Sequence, residues 1–228
     1  MKVAPEGYPF IVGSLLVAVV AFFFSVWLTG KHHGPLTTWA GLGVFGISCA
    51  VGIFMVFFFR DPERVSPVGE GLYVAPADGK VIRTRDVYED EFLASEAREI
   101  SIFMSPLDVH VNRSPCDGRV VAVRHRPGVF FAAYREDASE RNENIVLVIE
   151  QAKGKVLVRQ VAGFLARRAV CRVGEGDLLR RGQRYGMIKF GSRLDVLVPR
   201  SARVTVNVGD RTRAGETVIA VDDESGQR

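Results

Sequence analysis

The sequence predicts a mostly-β domain, a barrel or sandwich, preceded by a two-helix transmembrane hairpin. Three observations predict it. Two apolar stretches without charge, 10–28 and 38–59, stand near the front of the chain. From about Arg60 onward, long apolar runs give way to short ones bounded by Gly, Pro and Asp. Two pieces of that second part also repeat in outline.

Each apolar stretch is close to the ~20 residues a helix needs to cross the hydrocarbon core. A polar turn, Gly30-Lys31-His32-His33-Gly34-Pro35, separates them, so residues 1–59 read as a helical hairpin and 60–228 as the domain. The first stretch is too long for the apolar part of a secretory signal, lacks an A-x-A site and is followed by a second span. Lys2 precedes the first span, Arg60 and Arg64 follow the second, and Lys31 alone sits in the turn. The positive-inside rule then places the domain on the cytoplasmic side of the cell (inner) membrane, a periplasmic domain being the alternative. His32 and His33 have no further partner in sequence and read as interfacial residues rather than metal ligands.

Lys and Arg total 30 against 26 Asp and Glu. Lys2, Glu6 and Lys31 apart, all of this charge follows residue 59. So slight a basic excess argues against nucleic-acid binding. It suits either anionic head groups or a plain solvated surface. The three cysteines, Cys49, Cys116 and Cys171, are odd in number and widely scattered, which argues against a disulfide framework or a metal site. They read as structural thiols in a reducing compartment.

Strand signals in the domain include Gly79-Lys80-Val81-Ile82, Glu99-Ile100-Ser101-Ile102-Phe103, Ile145-Val146-Leu147-Val148-Ile149, Val156-Leu157-Val158 and Val204-Thr205-Val206. One helical stretch is expected near 128–135. Pro76-Ala77-Asp78-Gly79-Lys80-Val81 is echoed by Pro115-Cys116-Asp117-Gly118-Arg119-Val120, each an Asp-Gly turn into a strand. Val173-Gly174 through Arg181-Gly182 is echoed by Val208-Gly209 through Ala214-Gly215. This V-G-x(n)-G pattern resembles the hairpins of biotinyl and lipoyl carrier domains. No Met-Lys-Met or Asp-Lys-Ala tip is present, which speaks against a carrier role.

Three residues are candidates for chemistry. Ser192 follows Gly191 between the apolar runs Tyr185-Gly186-Met187-Ile188 and Leu194-Asp195-Val196-Leu197-Val198. Glycine there permits a strained backbone, which a hydroxyl attacking its own preceding carbonyl needs; a plain turn or bulge is the bland alternative. His110 lies in an alternating segment beside polar residues, whereas His125, between Arg124 and Arg126, reads as a surface residue. Asp78 sits in an Asp-Gly turn, a structural role in its own right. Ser, His and Asp together permit a base-activated hydroxyl with the acid orienting the imidazole.

Four segments make a resemblance specific: Ala75-Pro76-Ala77-Asp78-Gly79-Lys80-Val81; Phe103-Met104-Ser105-Pro106-Leu107-Asp108-Val109-His110-Val111-Asn112-Arg113; Ser139-Glu140-Arg141-Asn142-Glu143-Asn144; and Gly186-Met187-Ile188-Lys189-Phe190-Gly191-Ser192-Arg193. Together with the apolar hairpin, they resemble the short bacterial and archaeal form of phosphatidylserine decarboxylase. The resemblance implies a proenzyme that cuts itself between Gly191 and Ser192 into chains 1–191 and 192–228, which stay together as a heterodimer. Ser192 becomes a covalent pyruvoyl group, the sole cofactor implied, with no metal. Attack by Ser192 Oγ gives an ester, elimination gives dehydroalanine, and hydrolysis gives the ketone. His110 and Asp78 fall in the motifs of the family's base and orienting acid, and His110 is implied to assist decarboxylation as well. The ketone condenses with the serine amine of a membrane phospholipid and takes up the electrons released as CO2 leaves.

Longer family members carry a second histidine three residues after the first, where this chain has Arg113. A hairpin anchor holds the domain within reach of head groups. Phe130, Phe131 and Tyr134 are candidates either for the interface or for the core. Arg83, Arg113, Arg167 and Arg168 are candidates for the lipid phosphate. Three alternatives stay open: archaetidylserine as the lipid, a non-catalytic membrane-anchored adaptor, and a serine peptidase using Ser192 and Lys189.

Overall fold

A computed structural model of the chain describes residues 2–30, 35–132, 135, 138–163, 168–189 and 191–222. It forms two compact units, Met1–Glu63 and Arg64–Arg228.

The first unit is a pair of helices, Tyr8–Gly30 (α1) and Pro35–Phe58 (α2). Both are long and apolar enough to cross a membrane. Their outer faces expose Leu15, Val20, Phe23, Ile47 and Ile53, as suits a hydrocarbon surrounding. Small residues sit where they meet: a Cβ on Gly41 would come within 2.1 Å of Ser25 Oγ, and one on Gly52 within 3.1 Å of Ser14 Oγ. The serine hydroxyls bond within their own helices, Ser25 to Ala21 O at 2.7 Å and Ser48 to Val44 O at 2.8 Å. Lys2–Val3 pairs with Arg60–Asp61 and closes the base of the hairpin.

The second unit is built on one antiparallel, curled eight-stranded sheet. Its order is Leu178–Leu179, Gly118–Arg126, Asn144–Gln151, Gly154–Ala162, Ser192–Pro199, Ser95–Met104, Gly79–Glu89 and Arg211–Thr212. Two three-stranded sheets flank it: Ala169–Cys171, Arg184–Ile188 and Val111–Arg113; and Arg203–Val204, Val218–Val221 and Leu72–Val74. One face packs the main core, including Ile100, Ile102, Leu147, Ile149, Leu194, Val196 and Val198. The other face carries a smaller cluster of Ala97, Val146, Val148, Leu157 and Leu197. The central strands are therefore buried on both faces. Ile145-Val146-Leu147-Val148-Ile149 reads as an unbroken apolar run for that reason, whereas neighbouring central strands carry buried polar residues such as Gln160, Arg193 and Asp195.

The sequence echoes are one structural unit used twice. Gly79 and Gly118 each open a strand, and a Cβ there would meet Phe103 O at 2.2 Å or Glu150 O at 2.4 Å. Two residues on, Val81 N donates to Asp210 O at 2.9 Å and Val120 N to Asp177 O at 2.8 Å. The turns reply in kind: Gly209 N donates to Val81 O and Gly176 N to Val120 O, both at 2.8 Å. Asp78 Oδ1 accepts from Ala214 N at 2.7 Å, and Asp117 Oδ1 accepts from Arg181 N at 2.9 Å. The V-G-x(n)-G hairpins supply these turns and amides.

No helix occupies the described residues of the span 128–135, where one was expected. Among the described residues of this region the helix is the single turn Ala138–Arg141, and Val129 before it is held in a bridge. Val129 N donates to Arg141 O at 2.9 Å, and Glu143 N to Val129 O at 3.1 Å. A Cβ on Gly128 would strike the Asn142 carbonyl carbon at 2.4 Å. Asn142 grips Phe131 through both its backbone nitrogen (3.1 Å) and its carbonyl (2.8 Å). Long-range pairing has overridden local helix preference.

Candidate active site

Ser192 is the first residue of a central strand and is fully buried. It pairs with Met104 on one side and Ala162 on the other. Its Oγ donates to Met104 Sδ at 3.4 Å, and a thioether is a weak acceptor. The hydroxyl is therefore shielded from solvent, and among the described residues it is held by a weak acceptor. Gly191 adopts φ +64°, in the left-handed region, and a Cβ there would meet no atom of the described residues within 4 Å, its chain neighbours apart. The residue before Ser192 thus takes a conformation that glycine adopts freely and that a residue with a Cβ resists.

The turn from Met104 to Val111 joins two strands that both flank this junction. Met104 pairs with Ser192, and Val111 pairs with Met187. His110 lies just before Val111, and its carbonyl accepts from Ile188 N at 3.3 Å. The fold thus lays the His110 segment along the 187–192 segment. His110 is itself fully buried, and its Nδ1 lies 2.9 Å from the Asp108 carbonyl. A carbonyl can only accept, so Nδ1 carries the proton and Nε2 is the basic nitrogen. The Asp108 carboxylate is fixed in turn by Ser105 N and Arg211 Nη1, each at 2.8 Å.

Asp78 is buried, and beyond the capping bond it shares with Asp117 it accepts from Arg64 Nη2 at 2.8 Å. That extra pairing separates Asp78 from its structural echo. Arg64 also bonds Glu216 at 3.0 Å. Burial raises the Asp78 carboxyl above its ordinary value, the Ala214 amide and Arg64 oppose the rise, and the nearby Asp108 charge adds to it. Asp78 thus feels the charge of Asp108, the residue whose carbonyl faces the imidazole.

Behind Met104 lies a pair of fully buried amides that sequence reasoning did not single out. Gln160 Nε2 donates to Asn112 Oδ1 at 2.8 Å and to Val170 O at 3.3 Å; Asn112 Nδ2 lies 3.9 Å from Met104 Sδ. Arg64 was missed as well. Its signal, one Arg just after an apolar span, reads equally well as a membrane-flanking charge.

The other expectations fare as follows. Phe130 packs against the main core, and Phe131 has the guanidinium groups of Arg135 and Arg141 over its ring at 5.1 and 4.8 Å. Tyr134, Arg167, His32 and His33 lie outside the described residues. Arg113 is buried and donates to Gly182 O at 3.0 Å, Arg83 lies 3.8 Å from Glu99, and Arg168 is exposed. Lys189 is half-buried. Cys116 is buried, which pushes its thiol up to about 12; Cys171 is shifted upward by burial too. No group of three or more His, Cys, Asp or Glu arranged for a metal occurs among the described residues. A hollow of about 650 Å³ lies between α1 and α2 and is lined by residues such as Leu16, Val20, Phe24 and Val44, which carry no group for chemistry.

The family model described as phosphatidylserine decarboxylase matches residues 51–220. Among similar proteins, the phosphatidylserine decarboxylase proenzyme of Geobacter metallireducens is 45% identical over 96% of each chain. The proenzyme of Syntrophus aciditrophicus is 41% identical over 95% of this chain and 96% of its own. That of Prosthecochloris aestuarii is 42% identical over 91% of each.

Proposed function

The chain belongs to the phosphatidylserine decarboxylase family, a family of carboxy-lyases, and we propose that it converts phosphatidylserine to phosphatidylethanolamine after cutting itself between Gly191 and Ser192. The observation that carries this reading is the junction: a left-handed, unobstructed Gly191 leading into a buried serine whose hydroxyl donates to a thioether.

In the cut, Ser192 Oγ attacks the Gly191 carbonyl carbon and gives its proton to His110 Nε2. The C–N bond breaks as the Ser192 nitrogen takes a proton, which leaves an ester. His110 then removes the Ser192 Cα proton, and the Gly191 carboxylate departs from Cβ. Water replaces the nitrogen, which leaves as ammonia. The products are chain 1–191 ending in a carboxylate and chain 192–228 beginning in pyruvoyl, held together as a heterodimer by the strand ladders on both sides of residue 192.

The surroundings fit that group. Met104 and the dry core face that hold the serine side chain receive a methyl equally well. Once formed, the pyruvoyl ketone supplies an electron sink for the electrons released with CO2. His110, kept in one tautomer by the Asp108 carbonyl, is the residue that moves protons in this buried setting. Asp78 and Arg64 fix the turn beside it. The two apolar helices anchor the domain in the membrane that carries its substrate, and the positive-inside rule puts the domain on the cytoplasmic side.

The test is lipid analysis of the purified full chain in nanodiscs containing phosphatidylserine. Phosphatidylethanolamine should accumulate with wild type and not with Ser192→Ala. Wild type that leaves the lipid unchanged while fully cut would refute the assignment of substrate.

A further inference from the structure

Arg193 and Asp195 share one face of the Ser192–Pro199 strand, opposite the main core, and both are fully buried. Arg193 Nε lies 2.9 Å from Asp195 Oδ1, and Nη2 lies 3.3 Å from Oδ2. Two groups from a separate stretch of chain complete the cluster. Ser139 Oγ donates to Asp195 Oδ2 at 2.5 Å, and Arg193 Nη1 donates to the Arg135 carbonyl at 2.8 Å. The same stretch also holds the neighbouring strand, because Asn142 Nδ2 donates to Ala162 O at 2.7 Å and Ala162 N to Glu143 O at 2.9 Å. Ala162 is the residue paired with Ser192.

A buried ion pair is a poor device for stability. Apolar residues of similar volume usually serve as well or better, because both charges must be stripped of water. The position of this one suggests another use. Arg193 follows the residue at which the chain is cut. Before the cut, the Gly191–Ser192 peptide holds the start of the strand. Afterward the strand begins at the reactive group, and free chain ends fray unless tied down.

We propose that Arg193, Asp195 and Ser139 form a polar latch between chains 1–191 and 192–228 that keeps the cut end in register for decarboxylation. All three are positioning residues. The inference rests on the self-cleavage reading and adds to it a division of labour: the latch matters after the cut more than for it.

The test compares wild type with the double variant Arg193→Met/Asp195→Leu, which removes both charges and strands neither. Four quantities are read: completeness of cutting by intact mass, kcat, KM, and hydrogen–deuterium exchange of amides in 193–199. The latch predicts full cutting, faster exchange at the start of the strand, and kcat lower by about tenfold to a hundredfold with KM little changed, the cost of a slightly misplaced reacting group. A double variant that is cut, exchanges and turns over like wild type would overturn the latch and leave the pair a packing feature. Should the double variant fail to fold, Ser139→Ala decides in its place: lower kcat with faster exchange, rescued in Ser139→Thr, supports the latch, and wild-type behaviour overturns it. A wild-type chain that stays whole removes the self-cleavage reading and the latch together. A cut wild type with an unaffected variant removes the latch alone.

Discussion

Gly191→Ala isolates the backbone conformation at the junction from every other property of the site. Gly191 has φ +64°, and an added Cβ would find no atom of the described residues within 4 Å, its chain neighbours apart. The substitution therefore carries no clash, and its cost is the intrinsic penalty of a left-handed residue with a Cβ, about 1–2 kcal/mol. If the chain is cut from this conformation, that cost lowers its population and slows the cut by roughly 5- to 30-fold. The assay is the half-time for conversion of freshly made precursor into two chains, followed by gel or intact mass at constant temperature. A half-time within twofold of wild type would refute the claim that the left-handed conformation is the reactive one. A complete block in a folded precursor would refute the claim that the space beside Gly191 is open.

Two further outcomes follow from the electrostatics. Burial raises the Asp78 carboxyl, so its protonated form is favoured in the fold. The stability it lends is greatest below the ordinary carboxylate range and declines as pH rises above it; the Tm advantage of wild type over Asp78→Asn should shrink as pH is raised from below that range toward neutrality, and a widening gap would contradict this. Cys116, buried and shifted to about 12, should resist a soluble thiol reagent at neutral pH until the domain unfolds, and rapid native-state labelling at that residue would contradict its burial.

Much of the fold was legible because its signals are local. The membrane helices announce themselves by twenty-odd apolar residues in a row, and α1 and α2 differ from the sequence bounds by a few residues at their ends. The β-rich class followed from short runs between turns. The echoed Asp-Gly and V-G-x(n)-G pieces were visible because each copy obeys the same steric rule at Gly79 or Gly118. What stayed hidden depends on residues far apart in the chain. The helix moved from 128–135 to Ala138–Arg141 because Gly128 and Val129 pair with Arg141, Asn142 and Glu143. Asp78 reads as a turn residue, like Asp117, until folding brings Arg64 to it. Asn112 and Gln160 are 48 positions apart and meet only behind Met104. The latch did leave a trace: Arg193 and Asp195 interrupt an otherwise apolar strand at alternate positions, which marks a charged pair on one buried face.

The account stands or falls on the bond between Gly191 and Ser192. Intact mass spectrometry of the purified wild-type chain and of Ser192→Ala tests it directly. Wild type should appear as chains 1–191 and 192–228, the smaller one lighter than its serine-started form by the mass of ammonia, and Ser192→Ala should remain whole. A folded wild-type chain of full, unmodified mass would contradict the account.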